Sequence, residues 1–210
     1  MPKELDIDKW VRKAQFEFFK DFEEPFFGVT VNVDCTTAYA VCKSSGYSFF
    51  LYYLHKSLHA ANQIEGFKYR LVNDKVMVYD DVHASATINR PDGTYGFSYI
   101  DYRENFTEFT DVAKLEIDRI QSSTGLIPAV SSENVIHYSS LPWLKFTGLS
   151  HARSFSFKDS CPKISFGQLH EVNDRKEMPV SIHVHHALMD GIHVGQYVDL
   201  FQKLLNNPDF

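Results

Sequence analysis

The fold is determined by one stretch, Val180-Ser181-Ile182-His183-Val184-His185-His186-Ala187-Leu188-Met189-Asp190-Gly191. A strand pattern ends in this stretch, and a helix pattern follows it. Residues 180, 182, 184 and 186 alternate with residues 181, 183 and 185, as on the two faces of a β-strand. The two adjacent histidines are therefore predicted to point in opposite directions, with His186 on the apolar face. Gly191 then allows a close backbone turn, and Asp190 lies near enough to fix the loop or to pair with a cation.

A histidine in this position has a chemical use. If it is partly shielded and oriented by the backbone, its imidazole stays neutral near pH 7 and removes a proton from a hydroxyl or a thiol. Two plainer interpretations stay open from these residues alone: a satisfied core histidine, or a surface pair without a role. A metal site built from His183, His185 and His186 is excluded, since His186 faces away from the other two and no nearby carboxylate completes the set. No metal is expected.

In the rest of the chain, hydrophobic periodicity predicts helices mixed with short strands. The predicted helices cover residues 8–22, about 36–46, 48–63, 106–120 and 194–205. The predicted strands cover 29–33, 69–72, 75–79, 85–88, 95–99, 135–138, 144–147, 164–167 and 180–184. In the first helix, Trp10, Ala14, Phe18 and Phe22 recur every four residues and predict its buried face. No repeat or composition shift divides the chain, so residues 1–210 are expected to form one α+β domain.

Composition narrows the class of protein. The 210 residues are 44% hydrophobic and 23% charged, as in an ordinary globular domain. A net charge of -6 and the absence of a Lys/Arg-rich run argue against nucleic-acid or anionic-membrane partners. No stretch is long and apolar enough for a membrane span, so a cytoplasmic location is expected. Three cysteines without metal-ligand spacing are expected to be reduced and buried.

The string HHxxxDG between a strand and an amphipathic helix resembles the signature of the chloramphenicol acetyltransferase family and its relatives. Those relatives include the acyltransferase domains of 2-oxoacid dehydrogenase complexes. The resemblance extends to the opening segment 10–19, to the stretch 74–82, to Leu141-Pro142-Trp143-Leu144-Lys145-Phe146-Thr147, and to Met178-Pro179 before the last strand. It covers essentially the whole chain, in order and at the right length.

The resemblance implies a two-layer α/β sandwich with a mixed β-sheet. It also implies a homotrimer whose active sites lie at subunit interfaces, with acetyl-CoA as co-substrate and chloramphenicol or a similar hydrophobic small molecule as the hydroxyl acceptor. His186 would be the general base in a direct attack on the thioester. Asp190 would be a structural carboxylate and Arg12 its ion-pair partner, and the alternative for Arg12 is a solvated helix residue.

One departure from the family pattern concerns the oxyanion of the tetrahedral intermediate. Where the family places a serine that donates to this oxyanion, the chain has Gly148 after Thr147. A lost oxyanion donor commonly costs ~10²–10³ in rate. Three explanations compete: Thr147 or a backbone N–H substitutes, a water molecule fills the space, or the protein is a weaker or differently directed enzyme. The alternative function is a non-catalytic or weakly active trimer that binds CoA or a small molecule.

A second departure concerns the acceptor pocket. Phe18 and Phe19 match an aromatic pair of the family, but the second residue is commonly tyrosine there, so Phe19 removes a possible hydrogen bond to the substrate. Phe27 and Phe97 also fall near pocket positions of the family, with core packing as the equal alternative. The acceptor is therefore not fixed as chloramphenicol.

Overall fold

A computed structural model describes residues 2–126, 132–156 and 158–207 of the chain. The α-helices in this part are α1 Lys13–Phe19, α2 Thr36–Ser45, α3 Phe49–Asn62, α4 Phe106–Gln121 and α5 Gly191–Asn206. The strands are β1 Lys3–Glu4, β2 Phe26–Asp34, β3 Tyr69–Val72, β4 Lys75–Val78, β5 His83–Asn89, β6 Tyr95–Phe97, β7 Val135–Ser140, β8 Lys163–Phe166, β9 His170–Val172 and β10 Arg175–His185. Short 3₁₀ helices cover Ile7–Lys9 and Glu65–Lys68.

The main sheet has the strand order β2-β10-β8-β7-β5-β6, with β9 paired to the start of β10. β5, β7 and β8 run parallel, whereas the other pairings are antiparallel. The sheet is therefore mixed. The predicted strand β10 lies inside it, hydrogen-bonded to β2 on one side and to β8 on the other. This position holds the end of β10 firmly from both sides.

The helices α2 to α5 cover one face of this sheet and make a two-layer α+β sandwich, as expected. The apolar alternation of the strands explains this arrangement, because Ile136, Ile164, Val180, Ile182 and Val184 all point to the helical side and are buried. The opposite face of the same strands carries polar side chains. The sheet thus separates an apolar core from a polar surface.

The first helix differs from its prediction. α1 covers only Lys13–Phe19, and it is separated from the 3₁₀ helix at Ile7–Lys9 by an extended residue, Trp10, and a turn. Phe16 is buried, whereas Ala14 and Phe18 are exposed, so the predicted four-residue stripe is not the buried face of a single chain. Tertiary packing overrides the periodicity here, because the Trp10 ring packs edge-on against Tyr69 of β3 and tilts against Phe16.

The predicted strand at residues 144–147 is also wrong, since this segment is irregular. Pro142 has no N–H to donate to a ladder, and the segment makes isolated bonds to the sheet, from Leu141 N–H to the Phe166 carbonyl and from Gln168 N–H to the Leu144 carbonyl.

Other predictions are confirmed: the hairpin β3–β4 turns at Asn73 and Asp74, both with positive φ. No helix in the described ranges is both long and apolar enough to cross a bilayer.

Candidate active site

The site forms where β10 ends and the chain turns into α5. The His186 N–H donates to the Pro25 carbonyl at 2.8 Å, which extends the pairing with β2 by one residue. The His185 carbonyl then accepts from the Leu188 and Met189 N–H groups at 2.9 and 3.0 Å, which closes a tight turn. Asp190 follows as the N-cap of α5. Backbone hydrogen bonds thus fix both histidines before any side chain contributes.

The two histidines lie on opposite sides of the sheet, as the alternation predicts. His185 is buried on the polar face with its ring edge-on to Phe26, and its Nδ1 accepts from the Ala187 N–H at 3.3 Å. Burial lowers the pKa of His185 to about 4, with a smaller contribution from the cation of Arg153. His185 is therefore neutral at pH 7, and its position fits a structural role.

His186 presents its ring quite differently. The ring stacks on Phe19, with centroids 4.0 Å apart and planes 9° from parallel, and it lies 4.6 Å from the ring of Phe27. Its Nδ1 is buried and lies 3.4 Å from Oδ1 of Asp190, without the geometry of a hydrogen bond. The side chain is 34% exposed. Because Nδ1 is turned inward, the edge that carries Nε2 is the one available to a substrate.

Arg12 connects this turn to the N-terminal segment. Its guanidinium forms an ion pair with Asp190, and Nη2 donates to the His186 carbonyl at 3.1 Å. Arg12 is only 8% exposed, so the interpretation as a solvated helix residue is wrong. Burial lowers the pKa of Arg12 from its usual value, but arginine remains charged at any physiological pH. One side chain therefore holds both the carboxylate and the backbone of the histidine.

His193 is a supporting residue that the sequence reasoning missed. Its Nδ1 accepts from the Asp190 N–H at 3.0 Å, one turn into α5. This bond satisfies a backbone donor at the start of the helix. The spacing of three residues after a predicted N-cap is the signal that could have identified it.

Of the remaining predicted site residues, Phe18 borders the group around His186 and the others lie apart from it. Phe18 is 65% exposed and contacts Phe19 edge-on. Phe97 lines a cavity of about 390 Å³ on the polar face of the sheet. Thr147 and Gly148 are exposed, and a Cβ built on Gly148 meets nothing within 4 Å. One chain thus brings together His186, Asp190, Arg12, Phe19 and Phe27, while Phe97, Thr147 and Gly148 lie apart from them.

Among the described residues, one group has the spacing of metal ligands. Side-chain ligand atoms of His137, Asp159 and Cys161 lie within 4.8 Å of one another. The ammonium of Lys163 already pairs with Asp159, however, and burial raises the pKa of the Cys161 thiol. A neighbouring cation and a protonated thiol both disfavour a bound metal ion.

Known proteins resemble this chain in sequence and in fold. The family model "Chloramphenicol acetyltransferase" matches residues 2–202. Chloramphenicol acetyltransferase 3 of Escherichia coli is 28% identical over 206 residues, which cover 97% of this chain and 96% of that protein. A solved chloramphenicol acetyltransferase structure superposes with a TM-score of 0.90 at 30% identity, covering 98% of this chain and all of that one. A dihydrolipoamide acetyltransferase of Azotobacter vinelandii shares the fold, with a TM-score of 0.64 at 14% identity over 94% of this chain and 88% of that one. The family match over nearly the whole length shows that the chain belongs to the chloramphenicol acetyltransferase family.

Proposed function

We propose that the protein transfers the acetyl group of acetyl-CoA to a hydroxyl of chloramphenicol or a similar small molecule, with His186 as general base. Membership of the family supports the enzyme class, an acetyl-transferring acyltransferase. The observation that carries the proposal is the orientation of His186: Nδ1 faces the carboxylate of Asp190, and the Nε2 edge is left for the substrate. A general base needs a nitrogen that the substrate hydroxyl can reach.

The reaction proceeds by direct attack. His186 Nε2 takes the proton of the acceptor hydroxyl while the hydroxyl oxygen bonds to the thioester carbonyl carbon. The tetrahedral intermediate then collapses, the C–S bond breaks, and the imidazolium returns its proton to the sulfur of CoA. The products are an acetyl ester and the free thiol of CoA, and the histidine is regenerated.

Asp190 and Arg12 support the charge that forms on the imidazole. A carboxylate near Nδ1 favours the tautomer with Nδ1 protonated and stabilises the imidazolium. A carboxylate held inside the turn needs a compensating cation, and Arg12 provides it. Phe19 stacks on the ring where the family commonly has tyrosine, so it positions His186 instead of donating to the substrate.

The oxyanion of the intermediate lacks its expected serine donor. Gly148 is exposed, and the Thr147 hydroxyl, a backbone N–H or a water molecule remain the candidate substitutes. Gly148 is also the observation that favours the second candidate function, a weakly active or non-catalytic trimer that binds CoA or a small molecule. The ion pair of Arg12 with Asp190 next to His186 opposes it, because a binding protein has no need of an oriented base.

We further propose that the site assembles between the subunits of a homotrimer. His186 follows the helical face of the sheet, whereas Phe97 and its cavity lie on the polar face, so one chain does not bring them together. Val11, Phe18, Phe22, Trp143 and Phe155 are large apolar side chains exposed in a single chain, and an interface would cover such residues. Residues 1–210 would then act as one acetyltransferase domain in the cytoplasm, without a nucleic-acid or membrane partner.

The test is release of the CoA thiol from acetyl-CoA with and without chloramphenicol, for the wild type and for His186→Ala. We expect acceptor-dependent release that His186→Ala reduces by at least ~10²-fold, the usual contribution of a general base. His170→Ala, on β9 at the opposite end of β10 from His186, is the matched control. Release that His186→Ala does not change would refute the assignment of the base. Sedimentation equilibrium checks the trimer, and a monomer at assay concentration would refute the shared site.

A further inference from the structure

The polar face of the main sheet carries a row of side chains at a single level. The register pairs Ser85 with His137, His137 with Lys163, Lys163 with His183, and His183 with Gly28, across β5, β7, β8, β10 and β2. Gly28 belongs to the row because a Cβ there would overlap the His183 ring. Three adjacent strands, β7, β8 and β10, therefore place two histidines and a lysine side by side.

The segment after Thr147 covers this row with more polar groups. The ring of His151 meets His183 edge-on, with centroids 4.8 Å apart. The guanidinium of Arg153 lies 4.0 Å above the ring centre of Phe26 and pairs with Glu24. Lys163 pairs with Asp159. The row is thus a partly buried polar cluster between the sheet and this segment.

Two cavities open onto the cluster. The larger, of about 390 Å³, is lined by Phe97 together with Ser85, Thr87, Ser139, His137 and others. The smaller, of about 190 Å³, is lined by Glu24, Gly28, Arg153 and His183 among others. His151 and Lys163 line both. The pocket predicted from Phe97 therefore has a mainly apolar wall that also carries hydroxyls, imidazoles and an ammonium.

Several nitrogen atoms around the two cavities lack a hydrogen-bond partner. Nε2 of His151 and Nε of Arg153 are buried without one, and Arg153 lines the smaller cavity. Lys163 Nζ donates to Asp159 and to the Cys161 carbonyl at 3.2 Å and lies 4.5 Å from the ring centre of Phe26, so one of its three N–H groups has no oxygen acceptor. A buried donor without a partner is unfavourable, and a ligand oxygen that accepts from it removes this cost.

Burial and neighbouring cations lower the pKa values of the histidines in this cluster. Burial first, and then His183 and Lys163, lower the pKa of His151 to about 4, and burial and Lys163 lower that of His137 to about 4. For His183 the pKa is also lowered by burial, with Lys163 and Arg153 adding to the effect against a hydrogen bond to the Leu149 backbone. These imidazoles are neutral at pH 7, so the charges in the wall are the cations of Lys163 and Arg153 and their paired carboxylates.

We propose that this cavity selects an acceptor alcohol that carries an anionic oxygen group, such as a carboxylate, at the end remote from its reacting hydroxyl. Lys163 and His151 are the specificity-determining residues, because both line the two cavities and Lys163 brings a buried ammonium to them. The inference rests on the proposed function in one respect, that the cavity containing Phe97 is the acceptor pocket. It replaces a purely hydrophobic acceptor with a polar one.

A matched pair of acceptors tests the proposal: 1-phenylethanol and the same alcohol with a para-carboxylate. For the wild type we expect kcat/KM to favour the carboxylate by roughly tenfold or more, the value of one charge-assisted hydrogen bond. His151→Phe, which keeps a ring against His183, and the double variant Lys163→Met with Asp159→Asn, which removes a complete ion pair, should each bring the ratio towards one. Lys75→Met, on the exposed hairpin, is the control and should leave the ratio unchanged.

Binding to the His186→Ala protein separates this inference from the proposed function. Calorimetry with the two alcohols should show tighter binding of the carboxylate, and loss of that preference when the Lys163→Met/Asp159→Asn pair is added. If the wild type acetylates both alcohols equally well, the specificity proposal is wrong while the catalytic one stands. If the carboxylate binds with the expected preference but no acceptor is acetylated, the catalytic proposal is wrong while the specificity proposal stands.

Discussion

Replacement of Arg12 by methionine is the sharpest test of how the base is held. Arg12 is almost fully buried, and its partner Asp190 keeps 33% of its side chain exposed. Exposed ion pairs contribute about 0–1 kcal/mol, and loss of one partner from a fully buried pair costs ~3–5 kcal/mol. The half-buried position of Asp190 places Arg12→Met between these limits. We expect the free energy of unfolding to fall by about 2 kcal/mol.

The same substitution removes the donor to the His186 carbonyl, so catalysis should fall as well. We expect the transition state to lose about 1.4 kcal/mol, which is part of the energy of a charge-assisted hydrogen bond. A loss of this size lowers kcat roughly tenfold. Acceptor KM should change little, because Arg12 lies behind the histidine and not in the proposed pocket. The split between kcat and KM distinguishes a positioning residue from a substrate contact.

Urea denaturation and steady-state kinetics measure the two effects. Lys13→Met is the matched control, since Lys13 is the next residue and its ammonium pairs with the exposed Asp8. Adding Asp190→Asn to Arg12→Met should restore part of the lost stability, because the uncompensated carboxylate is gone. The reasoning fails if Arg12→Met resembles Lys13→Met within 0.5 kcal/mol (the usual range of a surface substitution), or if the double variant is less stable than Arg12→Met alone.

Three further predictions concern other parts of the chain. Gly148→Ser should fold normally, since a Cβ there meets nothing within 4 Å, and should raise the acetylation rate if the oxyanion lacks a donor. His185 has a pKa of about 4 in the folded protein, below the value of about 6.5 for an unfolded chain. Above pH 6.5 the imidazole is neutral in both states, so His185 does not make the free energy of unfolding depend on pH. As the pH falls from 6.5 towards 4, the unfolded chain binds the proton more readily than the folded one, and the free energy of unfolding falls by up to about 3 kcal/mol. Arg70→Met should destabilise by about 3 kcal/mol or more, because the fully buried guanidinium donates to four backbone carbonyls that would lose their donor.

Each of these has its own check. An unchanged rate in Gly148→Ser would show that another group already stabilises the oxyanion. Urea curves at pH 7 and pH 4.5 should show a smaller loss of stability for His185→Gln than for the wild type, and equal losses would exclude His185 as a source. A change below 1 kcal/mol in Arg70→Met would mean that water reaches those carbonyls.

Sequence patterns predicted those elements whose local signals agree with their tertiary packing. α3 begins after the N-cap Ser48, and the hairpin turn at Asn73 and Asp74 takes the left-handed conformation that these residues tolerate. The N-terminal segment failed because Trp10 is held extended by its contact with Tyr69, which is 59 residues away in the chain. Periodicity does not register contacts over that distance.

The candidate site divides in the same way. His186 and Asp190 are four residues apart, so one short motif contains both, whereas Arg12 lies 174 positions from the carbonyl that it holds. The polar row is harder still to recognise, because each strand contributes a single residue that looks ordinary alone. Alternation in β10 places His183 opposite the apolar face, but only the pairing with β8 puts Lys163 beside it and His137 beyond. The base lies in a short local motif, whereas the pocket is assembled by strand register from residues far apart in the chain. The two therefore depend on different residues. Substitutions on the polar face can therefore change the acceptor while leaving His186 and its ion pair in place.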